Sequence, residues 1–287
     1  MTDTTTTTGP SVRDFGVLVT GGGSGIGAAI ALRLAADGAV VTICGRTESR
    51  LVEAVDRVAA SVPHARIGYV VADVTDEAGV VAAVAAAAAQ AGGRLDAVVA
   101  NAGGSESIGP VTQLGLEQWE RTLALNLTGT MLTLKHGGAA LVRGGGGSFV
   151  AISSIAAATT HPWFGAYGPA KAGIDQLCRQ AADELGPSDV RVNSVCPGLI
   201  DTDLVGFITA GGAVLDSYTE NIPLNRIGRP DDVANLVRFL IGPESSWITG
   251  QAINVDGGHS LRRGPSLAGA IEPLFGADGL RGVVDPA

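Results

Sequence analysis

Val17-Leu18-Val19-Thr20-Gly21-Gly22-Gly23-Ser24-Gly25-Ile26-Gly27-Ala28 decides how this chain folds. Val17–Thr20, apolar or β-branched throughout, predicts a strand buried on both faces. A turn with glycines at 21, 25 and 27 follows, and Ile26–Asp37 then shows apolar residues at helical spacing. Strand, glycine turn and helix in that order make an anion site, because the free N–H groups and the helix dipole favour a pyrophosphate. Glycine is needed where backbone must approach a ligand closely or take positive φ. The run also fits G-x-G-x-x-A at Gly23, Gly25 and Ala28, a match that comes cheaply in so glycine-rich a stretch. Gly21, Ser24, Gly25, Ile26 and Gly27 are the first candidate cofactor residues.

Outward from this unit the chain alternates. Further strands are predicted at Val40–Ile43, Ile67–Val71, Ala97–Ala100, Phe149–Ser153, Val190–Val195 and Ala252–Val255. Helical patterns run over Glu48–Ala60, Glu77–Ala91, Leu116–Val142, Pro169–Leu185 and Pro230–Ile241. Such alternation predicts a doubly wound α/β fold, a mostly parallel sheet with helices on both faces. No repeat or linker divides the pattern, so residues 12–260 read as one domain. Residues 1–11, threonine-rich and then Gly9-Pro10, read as a disordered leader, and 261–287 as a C-terminal extension.

Composition narrows the class. The chain has 287 residues, 46% of them hydrophobic, enough for a sizeable core, and its net charge of −9 disfavours nucleic acid or anionic lipid as partner. The apolar stretch Val80–Ala91 is mostly alanine and shorter than a bilayer span. Cys44, Cys178 and Cys196 lie far apart in apolar runs, which predicts buried thiols and a reducing, cytoplasmic location. Four histidines form no ligand pattern, so no metal site is expected.

Chemistry gathers at the strand ends. Tyr167 and Lys171, four apart, share one helix face, and a nearby ammonium is expected to lower the phenol's pKa from its ordinary value of about 10. Ser154 ends a strand thirteen residues earlier, with Ser153 as its rival. Asn126 lies mid-helix among leucines, and a buried amide needs partners. Asp73-Val74 and Asn101-Ala102-Gly103 end the third and fourth strands, on the side where open α/β sheets bind ligands. After the second strand, where an NAD site places a carboxylate, stands Arg46. A guanidinium suits a 2′-phosphate, although a solvated surface arginine would read the same way.

From about Phe15 to Ser260 the chain resembles the short-chain dehydrogenase/reductase family in its single-domain Rossmann form. The likeness rests on Thr20–Gly27, Asp73, Asn101-Ala102-Gly103, Asn126, Ser154, Tyr167 with Lys171, Pro197-Gly198 with Thr202, and Val255-Asp256-Gly257-Gly258. It implies hydride transfer between a nicotinamide and an alcohol or carbonyl carbon. Tyr167 would be the acid/base, with Ser154 bonding the substrate oxygen. Lys171 would hold the nicotinamide ribose, and Asn126 would support a proton-relaying water. Thr202 and the Ile200 backbone would hold the carboxamide beyond Pro197-Gly198. Many NADP-dependent relatives have a basic residue where this chain has Ser24, which leaves Arg46 as the visible 2′-phosphate ligand. NADP(H) is favoured, with NAD(H) the alternative. The resemblance also suggests a homotetramer, or a dimer.

Three loops can line a pocket: 104–113, 155–166 and 199–223. Their apolar residues, Trp163, Phe164, Leu204 and Phe207 foremost, suit a medium or bulky hydrophobic ketone or secondary alcohol as the small-molecule partner. A 3-oxoacyl thioester on carrier protein or CoA is the runner-up, disfavoured by Asp183, Glu184 and Asp189 against Arg179 and Arg191. A non-catalytic dinucleotide-binding sensor is the reading from another class, and it leaves the proton-transfer set unexplained. The tail after Ser260 is too apolar for a disordered segment. It is expected to lie as an irregular arm over a neighbouring subunit, or to be a loosely attached extension.

Overall fold

A computed structural model describes residues 12–262, 264 and 266–283, apart from the side chains of Leu204 and Phe207. The predicted leader, 1–11, lies outside the described residues. The sheet is built from β1 (Gly16–Thr20), β2 (Val40–Gly45), β3 (Arg66–Val71), β4 (Ala97–Ala100), β5 (Gly147–Ile152), β6 (Val190–Pro197) and β7 (Ala252–Val255). Their order is β3-β2-β1-β4-β5-β6-β7, and every pairing is parallel. The apolar runs of β1, β4 and β5 are buried on both faces, while β3 at one edge is half exposed.

Helices cross between the strands: α1 (Gly25–Ala36), α2 (Glu48–Ser61), α3 (Glu77–Gln90), α4 (Leu116–Leu123), α5 (Gly129–Arg143), α6 (Tyr167–Leu185), α7 (Gly206–Thr209), α8 (Ala213–Thr219), α9 (Pro230–Ile241) and α10 (Ala268–Leu280). One core layer packs Ile30 and Leu34 of α1 with Val233, Val237 and Leu240 of α9 under β1 and β2. The other packs Val80 and Val84 of α3 with Leu134 of α5 and Ile174 of α6. Small residues allow close approach: a Cβ at Gly137 would sit 3.1 Å from Val98. Asp76 starts the alanine-rich α3 by accepting from the N–H groups of Ala78 and Gly79, each at 3.2 Å.

Two predicted elements differ. The helix expected over Leu116–Val142 is interrupted by a π-helical turn, Ala124–Thr128. Asn126 causes the break: its Nδ2 donates to Thr122 O at 2.8 Å, occupying a carbonyl of the preceding turn, and to Gly104 O at 2.6 Å. The tail is partly helical: α10 consists of two short helical stretches that meet at the non-helical Gly276 (φ 68°, ψ 162°), and it packs on loops of its own chain.

Candidate active site

The carboxyl ends of β1 and β4 adjoin where the strand order reverses, and their turns interlock. Gly21 (φ 64°) and Gly25 (φ 52°) have left-handed backbone, and a Cβ on Gly21 would lie 2.9 Å from Ala102 Cα. Asn101 Nδ2 donates to the carbonyls of Thr20 (3.0 Å) and Gly21 (3.1 Å). The backbone N–H groups of Asn101 and Ala102 in turn donate to Thr20 Oγ1 at 3.0 and 3.1 Å. Ser24 is the extended N-cap of α1 but makes no capping bond, and the first turn has no acid. Those N–H groups are left for an anion. Ile26 packs toward the core, and Thr202 stands across from Gly25, 3.2 Å from where a Cβ would be. This cradle fits a dinucleotide pyrophosphate.

Arg46, just past β2, is exposed and in no ion pair among the described residues. β2 lies three strand spacings from β5, about 14 Å, so Arg46 stands well away from Ser154 and Tyr167, as the two ends of a dinucleotide require. The structure adds a second cation that sequence reasoning missed. Arg50 lies against the glycine turn, its Cβ 3.3 Å from a Cβ built on Gly23. Its signal was the four-residue step from Arg46. Asp73 Oδ1 accepts from Thr75 N (2.9 Å) and Oγ1 (2.8 Å), fixing that strand end. The side chain of Val74 is buried against Gly129, so only its backbone could meet a ligand.

The reacting groups converge past β5. Ser154 is the extended residue before a short 3-10 turn; its Oγ accepts from Ala156 N at 3.1 Å and stands beside the Tyr167 phenol. Ser153 is turned away and donates to Lys171 O at 3.1 Å, which removes it as rival. Lys171 Nζ stands 5.4 Å from the Tyr167 ring centroid and donates to Ile152 O at 2.8 Å. Asn126, fully buried, accepts from Gly104 N at 3.2 Å. A Cβ on Gly103 would lie 2.8 Å from Asn126 Oδ1 and 3.3 Å from Lys171 Nζ, so one glycine separates the amide from the ammonium.

One expectation is corrected. The Tyr167 phenol is raised above its ordinary value, because burial disfavours phenolate more than the neighbouring Ser154 hydroxyl favours it. Lys171 is itself lowered to about 8 by burial, against the opposing pull of Asp175. Asp175, one turn further along α6, accepts from Ser194 Oγ at 2.7 Å. The buried ammonium thus destabilises the fold below about pH 8, and stability rises with pH from there to the ordinary lysine range, where the unfolded chain binds more protons. The resemblance implies that Lys171 holds the nicotinamide ribose, and the same deprotonation would remove that charge. NADP(H) affinity is therefore expected to fall as pH rises through about 8, and in Asp175→Asn to begin falling at lower pH. Cofactor fluorescence titrated across pH checks this; superimposable profiles would dismiss Asp175 as the controlling charge.

Around Tyr167 the loops are aromatic. The Phe164 ring centroid is 6.5 Å from that of Tyr167, and His161 meets Phe164 edge-on at 5.2 Å. Tyr218 of α8, buried, lies 6.3 Å from His161. Burial lowers His161, which belongs to this wall although a lone histidine gave no sequence signal. Trp163 is held at φ 67° next to Phe164. On the opposite side Gly198 follows Pro197, its N–H donating to Val255 O at 3.0 Å, and Ile200 bridges to Gly228. Leu204 and Phe207 fall in the short helical turns Asp203–Val205 and Gly206–Thr209, and their side chains lie outside the described residues. A cavity of about 420 Å³ lies between α3 and α5, away from all of these groups.

Among the described residues no helix is long and apolar enough to cross a membrane. A family model described as enoyl-(acyl carrier protein) reductase matches residues 21–260, leaving the tail outside the match. The chain is 39% identical to cis-4-hydroxycyclohexanecarboxylate dehydrogenase of Sinomonas cyclohexanicum, over 85% of its length and 95% of the relative's. It is 37% identical to (3R)-3-hydroxyacyl-CoA dehydrogenase of Mus musculus, over 84% and 94% respectively. A short-chain type dehydrogenase/reductase from Mycobacterium ulcerans superposes with a TM-score of 0.93 at 52% identity, covering 96% of this chain and all of that one. Parallel sheet, glycine cradle and these likenesses together place the chain in the short-chain dehydrogenase/reductase family, NAD(P)-binding oxidoreductases acting on CH–OH groups.

Proposed function

We propose that this enzyme interconverts a hydrophobic ketone and its secondary alcohol with NADP(H), using Tyr167 as acid/base. The observation that carries the reading is the convergence of Ser154 and the Lys171 ammonium on Tyr167, with Lys171 Nζ 5.4 Å from its ring centroid. The bound dinucleotide supplies the hydride donor or acceptor. Ser154 Oγ holds the substrate oxygen, and the Tyr167 hydroxyl gives its proton in reduction or receives one in oxidation. Lys171 binds the nicotinamide ribose from the buried end of α6. The π turn at Asn126 seats a proton-relaying water. Thr202 and the Ile200 backbone face the carboxamide. Tyr167, raised above its ordinary value by burial, carries at neutral pH the proton that reduction requires. Ketones and secondary alcohols screened against NADPH and NADH at the nicotinamide absorbance test the reading. No turnover with any of them sinks it.

Arg46 favours NADP(H), and Arg50 supports it. Arg46→Ala is expected to weaken NADPH binding by about 1.5–3 kcal/mol, the worth of a charge-assisted hydrogen bond, and NADH far less. Arg50→Ala adds a smaller loss of the same sign. Equal losses for both nucleotides in a calorimetric titration would make these arginines surface residues. The thioester reading draws support from the mouse relative's name but meets an acidic surface. Asp183, Glu184 and Asp189 are exposed, while Arg191 is occupied by Leu240 O and Ser245 Oγ, both at 2.8 Å. Assembly as a cytoplasmic homotetramer through α4, α5 and α6 is part of the proposal. Leu116 (70% exposed) and Met131 (38%) offer apolar surface there. A monomeric mass by light scattering would contradict it.

A further inference from the structure

The tail is anchored on both sides of the substrate loops. On one side Ser266 N donates to Ser217 Oγ of α8 at 3.1 Å, and Arg262 Nη1 donates to Glu220 O at 2.7 Å. On the other, the Phe275 ring rests on Gly109, where a Cβ would lie 2.8 Å from Phe275 Cζ. Gln113 Nε2 reaches Gly279 O and Val283 O, each at 3.5 Å. Between these anchors Leu267 and Ile271 are buried. Gly109 N donates to Trp163 O at 2.9 Å and Gly109 bridges Phe164, whose ring neighbours Tyr167. One run of chain thus joins loops 104–113 and 199–223 and touches, through Gly109, the loop that ends at Tyr167. The kink at Gly276 ends the first helical stretch of α10 immediately beyond Phe275, the residue set down on Gly109.

We propose that residues 266–283 form a wall of the substrate pocket, with Phe275 as its specificity-determining residue. It admits a compact, ring-sized ketone or secondary alcohol and shuts out an extended acyl thioester. The inference rests on the reading of the chain as a dehydrogenase of hydrophobic alcohols and names the size class of its substrate. A strap joining loops 104–113 and 199–223 stands in the way of a long acyl chain and its carrier arm, whereas a compact ring need not pass it. Charge points the same way. The described part of the tail carries Glu272 and Asp278, and its Arg281 is paired with Asp278. The phosphates of CoA or an acidic carrier would meet these carboxylates along residues 266–283.

The test compares the full chain, a chain ending at Arg262 and full-length Phe275→Ala. Substrates are cyclohexanol and the N-acetylcysteamine thioester of 3-hydroxydecanoic acid, with NADP+ as oxidant. Phe275→Ala and the shortened chain are expected to raise kcat/KM for the thioester relative to cyclohexanol by about tenfold or more, with NADP+ affinity unchanged. An unchanged ratio in chains that still turn over either alcohol overturns the wall. A second measurement needs no substrate: acrylamide quenching of Trp163 in a chain carrying Trp119→Phe and Trp247→Phe, with and without the tail. Easier quenching in the shortened, folded chain supports the wall, and an unchanged constant overturns it. If no chain turns over either alcohol, the dehydrogenase reading has failed, and quenching alone decides the wall.

Discussion

Tyr167→Phe lowers kcat by ~10²–10⁴-fold, the contribution of a positioned general acid or base, while NADP(H) affinity stays near that of the unaltered chain. The substitution keeps the ring that Lys171 and Phe164 flank and removes the hydroxyl beside Ser154. Without it the carbonyl oxygen has no donor of matched geometry, and Ser154 alone cannot deliver a proton to the developing alkoxide. Steady-state kinetics on a confirmed substrate, paired with a cofactor titration, separates loss of chemistry from loss of binding. A phenylalanine variant with most of its kcat would move the acid/base role elsewhere in the cleft.

Gly27→Val is the second large effect, and it acts on the fold and the cofactor together. A Cβ at Gly27 would overlap the Gly21 carbonyl oxygen and lie 2.5 Å from Asn101 Nδ2, so the added side chain pushes on the clasp between the β1 and β4 turns. Overpacking of this kind costs roughly 1–3 kcal/mol, or a melting temperature lower by about 2–10 °C for a chain of this size. Spreading the cradle also misplaces the N–H groups aimed at the pyrophosphate, so NADP(H) affinity falls by about a hundredfold or more, as for loss of two or more charge-assisted bonds. Gly23→Ala is the control. Its Cβ meets only the Arg50 side chain and backbone, at 3.3 Å and beyond, and is expected to leave both quantities nearly intact. Calorimetry and a thermal melt read both, and native affinity in Gly27→Val would remove the cradle from the account.

Why some of this was legible in the residues, and some was not, follows from the range of each interaction. The strands announced themselves because β1, β4 and β5 are buried on both faces and so had to be continuous apolar runs. The glycine turn was legible because positive φ at Gly21 and Gly25 restricts the residue type. The π turn was not, since what widens the helix is a bond from Asn126 to Gly104, twenty-two residues away. The direction of the Tyr167 shift was misread for a related reason. Spacing puts Lys171 on the right face, but the depth of burial that outweighs any neighbouring charge is a property of the packed site. The tail was recognisable as apolar, but its partner could not be identified: Gly109 has no side chain to advertise a contact with Phe275.

The clasp between Asn101 and the β1 turn also has a kinetic consequence. It joins groups about eighty residues apart in the chain, and β1 pairs with β4 across the same span. Such non-local pairing forms slowly, because loop closure must precede any gain from contact. The pyrophosphate cradle is therefore among the later parts of the molecule to appear during refolding. Added nucleotide has nothing to grip in early collapsed forms. It should leave the refolding rate of the central strands untouched and act instead by slowing the reverse passage, the escape from the finished fold.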